Sequence, residues 1–153
     1  IFEEYLTIAF NYRMTDIQAA VGIEQLKKLP EMIQGRRAID KLYRNFMKDI
    51  KWLQLPVQPY YARSNWQSYP VRVLPDAPVS RNDLMQYFLD NGVSTKPGIM
   101  NAHKEKAYSK MENTLPESEK ARDEVILLPV FKGLSEEDIR RICKLFHQNQ
   151  YMR

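Results

Sequence analysis

A chain of 153 residues, 44% hydrophobic and 27% charged, has material for one folded domain with a polar surface. No apolar stretch approaches the roughly 18 residues that span a bilayer, and the single cysteine, Cys143, excludes an internal disulfide. The net charge of +4 is built from interleaved signs, as in Glu117-Ser118-Glu119-Lys120, which marks solvated helix faces and argues against a nucleic-acid partner.

The start, Ile1-Phe2-Glu3-Glu4, lacks the basic region and apolar run of a secretory signal, so a cytoplasmic location is expected. It also lacks an initiator Met, which points to a piece of a longer protein. Thr15-Asp16-Ile17-Gln18 has the Thr-x-x-Gln form of a capping box and predicts a helix start. The stripe Ile17, Ala20, Val21, Ile23 and Leu26 continues that helix toward Leu29, and Pro30 ends or kinks it. A second stripe through Met32, Ile33, Ile39, Tyr43, Met47 and Ile50 predicts another long helix.

Pro56, Pro59 and Tyr60-Tyr61 belong to an irregular connection. Trp66 to Leu74 alternates and reads as a strand, with Pro70 suggesting an edge or a bulge. Ser80-Arg81-Asn82-Asp83 caps a helix that Gly92 stops. Val93 to Met100 reads as a second strand interrupted by Pro97-Gly98. A helix over Glu119 to Glu124 runs into the apolar strand Val125-Ile126-Leu127-Leu128-Pro129. Ser135 then caps a last helix with Ile139, Ile142, Cys143, Leu145 and Phe146 on one side. The expected fold is α/β of the α+β type: two N-terminal helices, then a small, roughly three-stranded antiparallel sheet covered by helices.

Candidates for chemistry are few. His103 and His147 lie far apart without ligand-spaced partners, so no metal site is expected. Five glycines form no phosphate loop, and no Ser, Cys or Lys sits in a nucleophile motif, so no catalytic residue is assigned. Cys143 falls on a buried stripe as a small apolar filler, and His147 reads as a surface or C-terminal helix residue.

The run Asn11-Tyr12-Arg13-Met14-Thr15-Asp16-Ile17-Gln18-Ala19-Ala20-Val21-Gly22-Ile23-Glu24-Gln25-Leu26 is similar, almost position for position, to a signature of the DegT/DnrJ/EryC1/StrS aminotransferases. Arg36-Arg37, Ser68-Tyr69-Pro70-Val71-Arg72-Val73, Gly92-Val93-Ser94-Thr95 and Ile126-Leu127-Leu128-Pro129 extend the resemblance over nearly the whole chain.

That resemblance implies a fold-type I aminotransferase that uses pyridoxal 5'-phosphate (PLP). Members move an amino group, usually from glutamate, onto a keto group of a nucleotide-linked sugar, and they work as homodimers. A large domain holds PLP through a Schiff-base lysine upstream of the signature, and a smaller C-terminal domain packs beside it. No lysine precedes Asn11, so residues 1–50 are expected to be an arm linking to that large domain and 51–153 the small domain. By itself the chain is expected to be inactive.

The resemblance also carries over residue roles. Asn11 matches an asparagine that reaches toward the PLP phosphate of the partner subunit; the plainer reading is that it shapes the turn before the helix. Arg13 either bears on the same anionic region or makes a structural ion pair. Lys96, a candidate substrate contact, stands where one branch of the family often has arginine, and His103, matching a second histidine of many relatives, is either close to the substrate or a plain surface histidine. Gly98 replaces a histidine found in many relatives, which weakens the transfer of those contacts. A competing reading is an independent interaction domain docking through residues 15–50. An upstream Ser-x-x-Lys segment followed by glycines separates the two. A DNA-binding regulator would need a short helix-turn-helix turn, which Pro30 does not offer.

Overall fold

The computed structural model, which describes residues 6–108 and 114–149, starts its first helix where the Thr-x-x-Gln run dictates. Helix α1 spans Asp16–Leu26. The Thr15 hydroxyl accepts from the Gln18 N–H at 3.4 Å, and the Gln18 side-chain oxygen accepts from the Thr15 N–H at 2.9 Å. Helix α2, Leu29–Met47, follows after a two-residue break and holds Pro30 in its first turn, where a missing N–H does no harm. The first helix is therefore shorter than its apolar stripe suggested.

The sheet has four strands in the order β1-β2-β4-β3, all antiparallel: β1 Leu53–Gln54, β2 Tyr69–Val73, β3 Lys96–Pro97 and β4 Val125–Leu128. The roughly three strands expected are β2, β3 and β4; the fourth, the two-residue β1, lies in a stretch without strand-like alternation. Strand β2 begins three residues later than its pattern suggested. Trp66 takes a positive φ of 49°, outside the extended region, and turns the chain before pairing begins. Pro70 sits in an inner strand after all, but β1 reaches only Arg72 and Val73, so one side of β2 is open at that point. Strand β3 is likewise cut to two residues and lies at the sheet edge, where Pro97 is tolerated.

Alternation decides which side of the sheet is buried. Tyr69, Val71 and Val73 of β2, with Ile126 and Leu128 of β4, turn into the core. Against them lie α2 through Ile39, Tyr43 and Met47, α3 (Arg81–Asp90) through Leu84, Met85 and Phe88, and α5 (Glu136–Asn149) through Ile139, Cys143 and Phe146. The rings of Tyr43 and Tyr69 stack at 4.8 Å, and Phe88 meets Phe146 at 4.7 Å. Each such side chain contributes about 1.5–3 kcal/mol by burial. Ser80 caps α3 through the Asp83 N–H, Ser135 accepts from the Asp138 N–H at 3.1 Å at the start of α5, and Gly92 leaves α3 at φ 74°. Helix α4, Pro116–Glu124, leads directly into β4.

Only the C-terminal half of α2 enters this core. Helix α1 has no buried residue, and Phe10, Tyr12, Met14, Ile17, Val21 and Leu26 are exposed, Phe10 by 85% and Ile17 by 80%. So much apolar surface in one stretch tends to find a partner. Concentration-dependent self-association is therefore expected in sedimentation velocity, and Ile17→Glu with Val21→Glu should reduce it. A monomer that persists at high concentration counts against the arm as an association surface.

Candidate cofactor and substrate site

Two regions hold the residues singled out by sequence. The first is the chain entering α1. Asn11 and Arg13 are exposed on backbone that is neither helix nor strand, and Thr15 then takes an extended conformation (φ −78°, ψ 161°) that ends the approach. A neutral amide and a guanidinium thus stand just ahead of a helix N-terminus, whose free N–H groups and partial positive charge favour an anion. Asp16 in the first turn opposes that attraction. The first lysines after Asn11, Lys27 and Lys28, lie at the other end of α1, roughly 16 Å along an 11-residue helix. This donor set fits the phosphate end of PLP and offers nothing to its aldehyde end.

The second region is a cleft of about 650 Å³ between α3, β3 and the loop that follows β3. Met85, Leu89, Ile99, Met100 and Leu127 give it an apolar lining, with Ile99 and Met100 partly open to solvent. Lys96, Arg81, Arg122 and Glu105 are its charged residues. Arg81 is buried and its charge is engaged elsewhere: Nε donates to the Asp123 carbonyl and Nη2 to the Arg122 carbonyl, both at 3.0 Å. It thereby satisfies carbonyls at the end of α4. Burial pulls its pKa down, Asp123 opposes that shift and Arg122 adds to it. Lys96 is exposed at the cleft, and Arg122 lies beside it with Nη1 3.9 Å from Asp123 Oδ1. Gly98 donates its N–H to the Val125 carbonyl at 3.1 Å, which holds the loop against β4.

His103 is placed differently from Lys96. It lies in a short 3-10 turn, Ala102–Lys104, and is not among the cleft-lining residues. Its side chain is 7% exposed, and Nε2 lies 3.0 Å from Glu119 Oε1. The other Glu119 oxygen meets Lys104 Nζ at 3.0 Å, and Oε1 also accepts from the Leu115 N–H at 3.3 Å. The Lys104 bond, then those from His103 and Leu115, hold the Glu119 pKa down at about 2 against an ordinary 4.5. A depressed carboxyl pKa stabilises the fold above its ordinary value, and the effect is lost as pH falls through about 2. Beside it the Ser118 hydroxyl lies 3.0 Å from Asn101 Oδ1, and Asn101 is buried. Sequence alone missed Ser118, Glu119 and Asn101, because their pairing spans 16 or 17 residues, from an irregular loop to a helix.

Neither Cys143 nor His147 contributes to either region. Burial pushes the Cys143 thiol up to about 12, so it stays protonated and acts as core filler. His147 is half-buried at the end of α5, with Nε2 3.1 Å from the Phe46 carbonyl. Among the described residues no group of three or more acidic, histidine or cysteine side chains could hold a metal ion, and no helix is long and apolar enough to cross a membrane.

Residues 2–147 match the model of the DegT/DnrJ/EryC1/StrS aminotransferase family. Among solved structures, the chain is similar to the aminotransferase TlmJ from Streptoalloteichus hindustanus, at 30% identity and a TM-score of 0.78, over 90% of this chain and 36% of that one. A DegT DnrJ EryC1 StrS aminotransferase from Brucella abortus matches at 26% identity and a TM-score of 0.73, over 97% of this chain and 39% of that one. DesI, solved in the presence of its TDP-sugar product, shares the fold at a TM-score of 0.81 and 23% identity, over 92% of this chain and 37% of its own. The chain thus spans well under half the length of each of these proteins.

Proposed function

Because this chain belongs to the DegT/DnrJ/EryC1/StrS aminotransferase family, we propose that it is the C-terminal part of a PLP-dependent enzyme that transfers an amino group from glutamate to a keto group of a nucleotide-linked sugar. The observation that carries the reading is the Asn11-to-Leu26 run, which leads as exposed chain into a capped helix with its polar entrance open. DesI, whose product is a TDP-linked sugar, supports the substrate class.

PLP, held mainly by a large domain upstream, supplies the electron sink that makes amino transfer possible. This chain's share is binding and orientation. Asn11 donates to the PLP phosphate of the partner subunit in a homodimer, and Arg13 adds positive charge beside it. Lys96 draws the anionic part of the nucleotide-sugar toward the cleft, though as a flexible point charge it holds an anion less specifically than an arginine would. Residues 1–50 form the arm that joins the large domain, and 51–153 the small domain. A cytoplasmic location belongs to the same reading.

Full-length enzyme incubated with glutamate and a nucleotide-linked keto-sugar is expected to release 2-oxoglutarate in step with aminated sugar. No release with any such sugar would overturn the reading. The chain of residues 1–153 alone is expected to form no defined PLP adduct. Titration with PLP should give only weak, unsaturable visible absorbance shared among surface lysines. Saturable one-to-one absorbance on a single lysine, with turnover, would show that the chain is catalytically self-sufficient.

A further inference from the structure

Along β3 and the loop that follows it, the cleft-lining residues come in two runs, 94–100 and Glu105, and the stretch between them is fastened by α4. Ahead of that stretch in the chain, the Gly98 N–H is tied to the Val125 carbonyl of β4. Within it, Asn101 is sealed against Ser118, while His103 and Lys104 take one oxygen each of Glu119. Ile99 and Met100 lie between these two anchors, 40% and 61% exposed.

We propose that α4, through Ser118 and Glu119, is a clamp that fixes the lip of the substrate cleft, with His103 and Glu119 as positioning residues that do not touch substrate. The assignment of the cleft to substrate rests on the function proposed above; the clamp itself rests on the contacts. Among the described residues, the loop's own backbone hydrogen bonds close only short turns. Lys104 N–H to the Asn101 carbonyl, Glu105 N–H to Ala102 and Tyr108 N–H to Glu105 make only single 3-10 turns, whose geometry is poor and whose length is short. Side-chain ties from a regular helix supply what the backbone lacks. His103 suits this role, since a ring that is 7% exposed with Nε2 on a carboxylate has little to offer a ligand in the cleft.

A plainer role for Glu119 would be to hold the start of α4 through the Leu115 N–H, and His103 variants separate the two. In this chain, hydrogen exchange at the Lys104, Glu105 and Tyr108 amides is expected to quicken roughly fivefold in His103→Ala. His103→Gln, which keeps a donor of similar reach, should restore most of the protection. Circular dichroism should show the helices of His103→Ala intact. In the full-length enzyme the same variant should raise KM for the nucleotide-sugar roughly fivefold, with a smaller fall in kcat. Unchanged exchange in His103→Ala overturns the clamp. Faster exchange with unchanged KM leaves the clamp standing and removes the cleft from the substrate site. A collapse of kcat at constant KM, not rescued by Gln, overturns the positioning role in favour of direct catalysis.

Discussion

Gly98→Ala is expected to destabilise the chain by about 3 kcal/mol, the upper part of the range for forcing a group into filled space. A Cβ built on Gly98 would lie 2.1 Å from Val125 Cγ1 and 2.6 Å from Val125 Cβ. Real Cβ atoms do not approach other carbons so closely, so something has to move. Val125 is a poor candidate, because a β-branched side chain has one strongly preferred rotamer and its Cβ is fixed by the backbone. Its backbone is fixed in turn by pairing with Arg72. The loop must therefore lift from β4, breaking the Gly98 N–H bond to the Val125 carbonyl and the short β3 pairing beside it. For a domain of this size the loss corresponds to a fall in melting temperature of roughly 6–12 °C. Gly35 is the control. It lies within α2 with nothing within 4 Å of its Cβ position, so Gly35→Ala should stabilise by about 0.5–1 kcal/mol. Equal melting temperatures for Gly98→Ala and the parent chain would mean that the loop is not pressed on the sheet as described.

The same position shows what sequence could and could not disclose. In the sequence Gly98 stood out as a break in a strand and as a departure from the histidine of many relatives; its contact with Val125 joins positions 27 residues apart, and no local pattern records it. Features set by neighbours along the chain were legible. Thr15, Ser80 and Ser135 each cap a helix because the hydroxyl meets an N–H three residues ahead, and Gly92 stops α3 because its φ of 74° suits glycine. The apolar stripes of α2 and α5 were legible for the same reason, and Cys143 fell on the buried side as its spacing implied.

Features set by distant pairing were not. Strand β1 exists only because Leu53 and Gln54 meet Val73 and Arg72, and two residues carry no period. The ends of β2 and β3 were overdrawn because alternation continued where backbone geometry, at Trp66 and Pro97, did not. The candidate site divides along the same line. Asn11 and Arg13 are ordinary turn residues by composition, and family likeness alone singles them out. Lys96 and His103 were both brought to the substrate by family likeness, yet the fold sends Lys96 to the cleft and His103 to α4. Residues seven apart on an irregular loop need not share a surface.

In the full-length enzyme, Asn11→Ala is expected to weaken PLP retention tenfold to a hundredfold while leaving the fold intact. A hydrogen bond to a charged group contributes about 1.5–3 kcal/mol, and about 1.4 kcal/mol is a factor of ten in affinity. Stability should be unaffected, since Asn11 is exposed and precedes a helix whose cap is formed by Thr15 and Gln18. Equilibrium dialysis against PLP measures the first effect and thermal melting of the apoenzyme the second. Mixed dimers then ask whose cofactor Asn11 serves. One subunit carries Asn11→Ala with its Schiff-base lysine intact; the other lacks that lysine but keeps Asn11. If Asn11 reaches across the interface, the subunit with the lysine receives a good asparagine from its partner, and the dimer keeps about half the activity of the unmodified enzyme at limiting PLP. If Asn11 serves its own subunit, the only lysine-bearing site is the one with the weakened phosphate grip, and activity at limiting PLP should be nearly lost. Reduced thermal stability with unchanged PLP affinity would return Asn11 to the role of a turn residue, and the anion-binding entrance to α1 would then rest on Arg13 and the helix terminus alone.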